Sequence, residues 1–233
     1  ICGIPVFLET SNNAYMLSEY WFGFARNESN ALYIEISESI AAGLLMHGKV
    51  VRGEFGVEGE LGHTVVERNG RLCFCGNRGC LETVASERVL TDTLIKMLER
   101  GASSLVTEMA GGDISQIDVR AIYAAAARGD KICIALLDEA SEYIGFSVAN
   151  LINILGPSVV ILGGEGIEAE GIYAKMIIEK IRKNLFQCSW MDAEMKTRFF
   201  VSNFNVWGAA IGAAALGLEF FYSKEQIMAL GFR

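Results

Sequence analysis

"GEFGVEGELGHTVVERNGRLCFCGNRGCLETVAS", residues 53–86, gathers three of the chain's six cysteines and one of its two histidines into one glycine-rich stretch. His63, Cys73, Cys75 and Cys80 offer one imidazole and three thiolates, the donor set of a closed tetrahedral zinc site. Two thiols separated by one residue can reach one ion, and Gly76 and Gly79 let the backbone fold back tightly. Three buried thiols beside a hydrogen-bonded histidine are the alternative. Spacing of the type C-x-C-x4-C within a glycine-rich turn favours the metal. Four protein ligands leave no position for water, so this zinc is expected to clamp a loop and not to hydrolyse anything. The second ring nitrogen of His63 stays free to donate to a neighbour or ligand.

Zinc modules that grip nucleic acid need a basic face. Here Glu60, Glu67 and Glu82 balance Arg68, Arg71 and Arg78, and the whole chain of 233 residues carries a net charge of −8. Any contact with DNA is therefore expected from a part outside this sequence. No apolar run reaches the roughly 18 residues of a membrane span. Six cysteines in a chain this long fit a reducing, cytoplasmic setting better than a disulfide scaffold. Cys2, Cys133 and Cys188 sit in apolar surroundings and read as core. His47, at a turn, is expected to face solvent and is assigned no role. The opening "ICGIPVFLET" has no charged n-region and reads as the interior of a longer protein.

Outward from the cluster, hydrophobic periodicity alternates between helix and strand. Val6–Leu8 is a short apolar run; helical spacing through Ala14, Leu17 and Trp21 ends at Gly23. "ALYIEIS" reads as a strand, "AGLLMHGKVVRG" as two strands about a His47-Gly48 turn, residues 52–63 as loop and "TVVE" as a brief strand. Helices are expected over 81–100, a loop over 102–116, and a long helix over 131–155 that stops at Gly156-Pro157. "SVVILGG" has the continuous apolar character of a strand buried on both faces. A helix (167–184), a strand ("RFFVS") and an Ala/Gly-rich helix (206–222) complete an α/β layout. Ser223 to Gln226 opens a capping box for a last helix.

The quoted stretch closely resembles the signature of the ROK family (repressors, open reading frames, kinases), G-x2-G-x2-G-E-x-G-H…C-x-C-G-x2-G-C-L-E-x2-A-S. "VFLETSNNAYMLSEYWFG", "NILGPSVVILGGEG" and "GAAIGAAALG" are similar to further family segments, so the resemblance covers nearly the whole chain. It implies an actin-like, ribonuclease-H-like two-lobed fold with a sugar in the cleft, of which this chain resembles the second lobe. Residues 1–30 would then be the crossover strand and helix entering that lobe, 31–222 the lobe with its zinc loop at 63–80, and 223–233 a terminal helix. The family's D-x-G-G-T phosphate motif and any winged helix-turn-helix are not in the sequence, which implies a longer parent. The resemblance makes Glu60, His63 and Glu82 contacts to sugar hydroxyls. Carboxylates accept from paired hydroxyls, and an unmatched hydroxyl in a buried site is expensive. A homodimer is implied by the resemblance alone.

Two departures bear on activity. Family kinases carry E-N-D-A-N ahead of "EYWFG", and its Asp takes the proton of the attacking sugar hydroxyl. Those Asn and Asp positions hold Thr10 and Ser11; a slip of one residue offers Asn12, which is no base either. Glu9 matches the family's own Glu and should point elsewhere. The kinase loop G-T-G-I-G-G-G appears as "SESIAAG", residues 37–43, where Glu38 would repel a triphosphate and only Gly43 survives. The reading is therefore a sugar-sensing, dimerising part of a ROK-type transcriptional regulator without kinase activity. Thr10 and Ser11 remain able to hydrogen-bond a sugar. A ROK sugar kinase with an atypical base is the alternative.

Overall fold

The computed structural model describes residues 6–164, 166–167, 171–185 and 197–222. Cys2, Cys188 and the expected helix after Ser223 lie outside these residues. Helix α1 (Ser11–Phe22) begins at the two departed positions and stops at Gly23. Strands β1 (Ala31–Ile36), β2 (Ile40–Met46) and β3 (Lys49–Val50) follow as an antiparallel meander. Its second turn is His47-Gly48, with φ of 53° and 72°, the left-handed pair that two-residue hairpins require. His47 is exposed, as expected.

Beyond the cysteine loop come α2 (Glu82–Ala85), α3 (Glu87–Glu99), α4 (Leu105–Met109), α5 (Val119–Ala127) and α6 (Lys131–Leu155). Asp130 caps α6 by accepting from the amides of Ile132 and Cys133 at 3.0 and 2.9 Å, and Gly156 closes it in the left-handed conformation. The long helix thus occupies the span its apolar stripe predicts. Strand β4 (Val159–Gly163), α7 (Ile172–Asn184), β5 (Arg198–Val201) and α8 (Gly208–Phe221) complete the described chain.

One five-stranded sheet runs in the order β3-β2-β1-β4-β5, with β1, β4 and β5 parallel. Its alternating side chains enter two cores. Leu32, Ile34, Val160 and Leu162 pack with α3, α5, α6 and α7, whereas Tyr33, Val159 and Ile161 pack with Met16, Leu17 and Trp21 of α1 and Ala215 of α8. β1 is therefore buried on both faces, like β4.

Three expectations are corrected. Residues 64–67 form no strand, only an isolated bridge between Val65 and Cys80, because the amides of Val66 and Glu67 both turn to Gly79 O. The expected loop at 102–116 contains α4, whose first turn is held by Ser104 and by Asp130 from the start of α6. The helices expected from 167 and 206 begin at 172 and 208. Cys133 is fully buried, as read.

Candidate functional site

The residues 58–63 that carry the acidic and histidine positions are threaded between α1 and β2. Gly59 has φ of 78°, and a Cβ there would strike Ala42 O and meet Asn12 Nδ2 at 2.6 Å, so no side chain fits. Asn12 donates from Nδ2 to Ala42 O at 2.8 Å and to Glu58 O at 3.3 Å, tying the first turn of α1 to this loop. A short 3-10 turn, Leu61–His63, then delivers His63 to the cysteines.

His63, Cys73, Cys75 and Cys80 come together with all four ligand atoms within 4.8 Å of one another. The Cys73 Sγ to His63 Nδ1 distance is 3.5 Å and the Cys75 to Cys80 Sγ separation is 3.7 Å. Bonds of about 2.3 Å to sulfur and about 2.0 Å to nitrogen in a tetrahedron place S–S edges at about 3.8 Å and S–N edges at about 3.5 Å. These two pairs are therefore spaced as edges of a tetrahedral zinc shell, and this donor set can hold that metal. Burial, then the neighbouring thiols, push the Cys80 thiol up to about 12, while the Asn77 backbone holds the Cys75 thiol below its usual range. A divalent cation supplies the compensation that three packed thiols otherwise get only from protons.

With Nδ1 turned to the thiols, His63 Nε2 faces the other way and lies 3.8 Å from Glu60 Oε2. Phe74 packs edge-on against the imidazole, with ring centroids 5.0 Å apart. Glu82 opens α2 and is only 5% exposed, with its carboxylate over Gly62, where an added Cβ would lie 3.0 Å from Oε2. The first turn of α1 presents Ser11, exposed, and Thr10, whose Oγ1 is buried without a hydrogen-bond partner among the described residues.

Two carboxylates, Glu9 and Glu58, lie beside the first turn of α1. Glu9 Oε2 pairs with Arg52 at 2.6 Å, and its Oε1 accepts from Thr10 N and Asn13 Nδ2, both at 3.1 Å. Glu58 went unremarked in the sequence because it falls at a variable position of the signature. It accepts from Asn13 Nδ2 at 2.8 Å, and backbone amides hold its carboxyl below the usual range, which makes it a poor base.

At the other end of β1, residues 37–39 close a tight hairpin between the paired Ile36 and Ile40. The Ser37 amide donates to Ser39 O at 3.0 Å, and Ser37 O accepts from Glu87 N at 3.0 Å. The Ser37 amide, which a phosphate cradle would aim outward, is thus used within the turn. Gly43 serves packing: a Cβ there would sit 2.7 Å from Met16 Cβ and strike Asn12 O. Gly163 and Gly164 likewise lie against Tyr33 and Ile36 of β1. Burial raises the carboxyls of Glu35 and Glu87 beside this hairpin, where Glu38 adds a further charge.

The comparisons with known proteins agree with this geometry. A family model described as "ROK family" matches residues 2–219. The xylose repressor of Caldicellulosiruptor bescii is 30% identical over 91% of this chain and 52% of its own length. The glucokinase of Thermotoga maritima is 38% identical over 72% of this chain and 53% of its own length. A solved ROK family transcriptional regulator, a homologue of the E. coli MLC protein, superposes with a TM-score of 0.81 at 29% identity, over 94% of this chain and 53% of that one. The chain thus spans about half the length of the curated relatives it matches. Both repressors and kinases stand among those relatives, and no helix among the described residues is long and apolar enough to cross a membrane. With an actin-like α/β fold, a His/Cys3 cluster and a signature matched along its length, the chain belongs to the ROK family.

Proposed function

We propose that this chain is the sugar-sensing part of a ROK-type transcriptional regulator and does not phosphorylate its ligand. One observation carries the reading: the position of the kinase base is Ser11, and Glu9 and Asn12 beside it are both committed to structural bonds. Proton removal from a sugar hydroxyl needs an acceptor within hydrogen-bond reach. The closed hairpin at 37–39 supports the reading from the nucleotide side.

In this proposal His63, Cys73, Cys75 and Cys80 hold one structural zinc, which supplies no chemistry beyond fixing the loop. Its place gives it value. His63 turns Nδ1 to the thiols and keeps Nε2, with Glu60, Glu82, Thr10 and Ser11, for sugar hydroxyls; bound zinc would hold the ring there. The buried, unpartnered Thr10 Oγ1 is the kind of group that a ligand hydroxyl satisfies. The relative is a xylose repressor, so a pentose or hexose is the effector class. DNA binding and dimerisation belong to the longer regulator.

ADP release by the full-length protein over a panel of sugars and ATP tests the assignment. No sugar-dependent turnover, with calorimetric binding of one sugar, is the expected result. The glucokinase at 38% identity keeps a second reading in view, an ATP-dependent sugar kinase with an atypical base. Sugar-dependent release of ADP would establish that reading instead.

A further inference from the structure

Two carboxylates from separate segments share one donor beside the first turn of α1. Asn13, fully buried there, donates from Nδ2 to Glu9 Oε1 at 3.1 Å and to Glu58 Oε1 at 2.8 Å. A primary amide has two N–H groups, and both are spent on groups of like charge. Carboxylates only accept, so the pair fixes which way the amide is turned. Its other atom, Oδ1, is left buried without a hydrogen-bond partner among the described residues. An unmet buried carbonyl is costly. The two carboxylates therefore dictate this orientation, which does not suit the amide by itself.

The bridge joins the two stretches that carry the proposed sugar contacts. At one end Glu9 immediately precedes Thr10 and Ser11. At the other, Glu58 stands two residues before Glu60 and five before His63. Both ends are tied down in turn. Glu9 Oε1 also accepts from Thr10 N at 3.1 Å, and its Oε2 takes the Arg52 guanidinium at 2.6 Å. The Glu58 carbonyl accepts from Asn12 Nδ2 at 3.3 Å. Without the shared donor, the two carboxylates would be left close together, with Arg52 engaged at only one of them, and would push the loop away from α1.

We infer that Asn13 is a positioning residue, which sets the spacing between Thr10 and Ser11 on one side and Glu60 and His63 on the other. The inference rests on the sugar-sensing reading and adds to it how the site is held together. Asn13 touches no ligand; it acts through Glu9 and Glu58. Recognition of hydroxyls depends on contacts held to within about 0.5 Å, which supporting hydrogen bonds of this kind provide. Sugar affinity therefore passes through the bridge. The His/Cys cluster does not use Asn13, so zinc content serves as an internal control.

A double-mutant cycle in the full-length, zinc-loaded protein tests the inference, with Asn13→Ala, Glu58→Ala and the two combined. Xylose, glucose and N-acetylglucosamine are the calorimetric probes, with zinc content and melting temperature followed in parallel. Each single substitution is expected to weaken binding of the recognised sugar about tenfold, with zinc retained. The combination should weaken it no further, because both substitutions remove the same bridge. A lower melting temperature with unchanged sugar affinity would make Asn13 a purely structural residue and overturn the inference, leaving sugar sensing intact. Losses that simply multiply would overturn it too, since the two side chains would then act independently. Should Asn13→Ala not fold, Glu58→Ala decides alone, because Glu58 is only half-buried: a tenfold loss supports the inference and unchanged affinity overturns it. A wild-type protein that binds none of the sugars would refute sensing and the inference together.

Discussion

The cysteine corner and the 37–43 hairpin sit at opposite ends of the same chemistry in a ROK kinase, and here they have been treated in opposite ways. The first keeps every donor atom its signature calls for, spaced for a tetrahedral metal and backed by an imidazole with a free nitrogen. The second uses its Ser37 amide within the turn, carries side chains where the family pattern has glycines, and gathers Glu35, Glu38 and Glu87, to which a triphosphate would add more negative charge. Recognition can survive without group transfer, since binding hydroxyls needs only positioned donors and acceptors, whereas phosphoryl transfer also needs a base and a cradle. The difference between the corners, more than either alone, points to sensing.

The comparison breaks most directly at the metal. Cys75 is exposed, so Cys75→Ser removes one donor of the cluster with little change in packing. The expected outcome is loss of about one equivalent of zinc by elemental analysis and destabilisation on the order of 4 kcal/mol in chemical denaturation. A metal-free variant of unchanged stability would mean the thiols are merely core. Glu82→Gln is the next largest. It should weaken sugar binding by about 1.5–3 kcal/mol, roughly tenfold to a hundredfold, through loss of a charged acceptor, with folding nearly unaffected.

Gly43 sharpens the opposite corner. As the one glycine kept from the family's phosphate-loop pattern it would, in a working cradle, tolerate alanine with a loss of nucleotide affinity alone. Against Met16 and Asn12 the added methyl is expected to cost about 1–3 kcal/mol of stability instead. Thermal unfolding of Gly43→Ala distinguishes the two.

How much of this was legible in the sequence follows from the range of the forces involved. The four donors of the His/Cys cluster lie within 18 residues of one another and carry their own spacing rule, and α6 carries a cap at each end, so the cluster and the helix were both readable. "TVVE" has strand propensity, yet the tertiary demand of the cysteine loop takes its amides. β-propensity yields readily to context of that kind. Glu58 was missed because its meaning comes from Asn13, 45 residues away. The small helix α4 depends on Asp130, 25 residues beyond the amide it caps.

The smallest expected effect concerns the acids beside the hairpin. Desolvation raises the carboxyls of Glu35 and Glu87, and Glu38 adds to the repulsion at Glu87 while Arg120 partly relieves it. The hydrogen bonds from Tyr33 Oη to Glu35 and Tyr123 Oη to Glu87 pull the other way without overcoming burial. A carboxyl whose pKa is higher folded than unfolded binds more protons in the folded state, so its contribution is most favourable below the unfolded value and is lost as pH rises through the folded one. Between about pH 4.5 and neutrality these two groups should therefore erode stability, opposite to the behaviour of salt-bridged acids such as Glu28, whose carboxyl Ser158 and Arg198 hold low. Glu87→Gln keeps an acceptor for Tyr123 and removes the charge. It should raise the melting temperature at pH 7 by a few degrees and leave it unchanged near pH 4, flattening the profile. If instead the substitution lowers stability at pH 7, the charge on Glu87 is being used, and a cation held at this corner would have to replace the picture of a site that has simply been closed to phosphate.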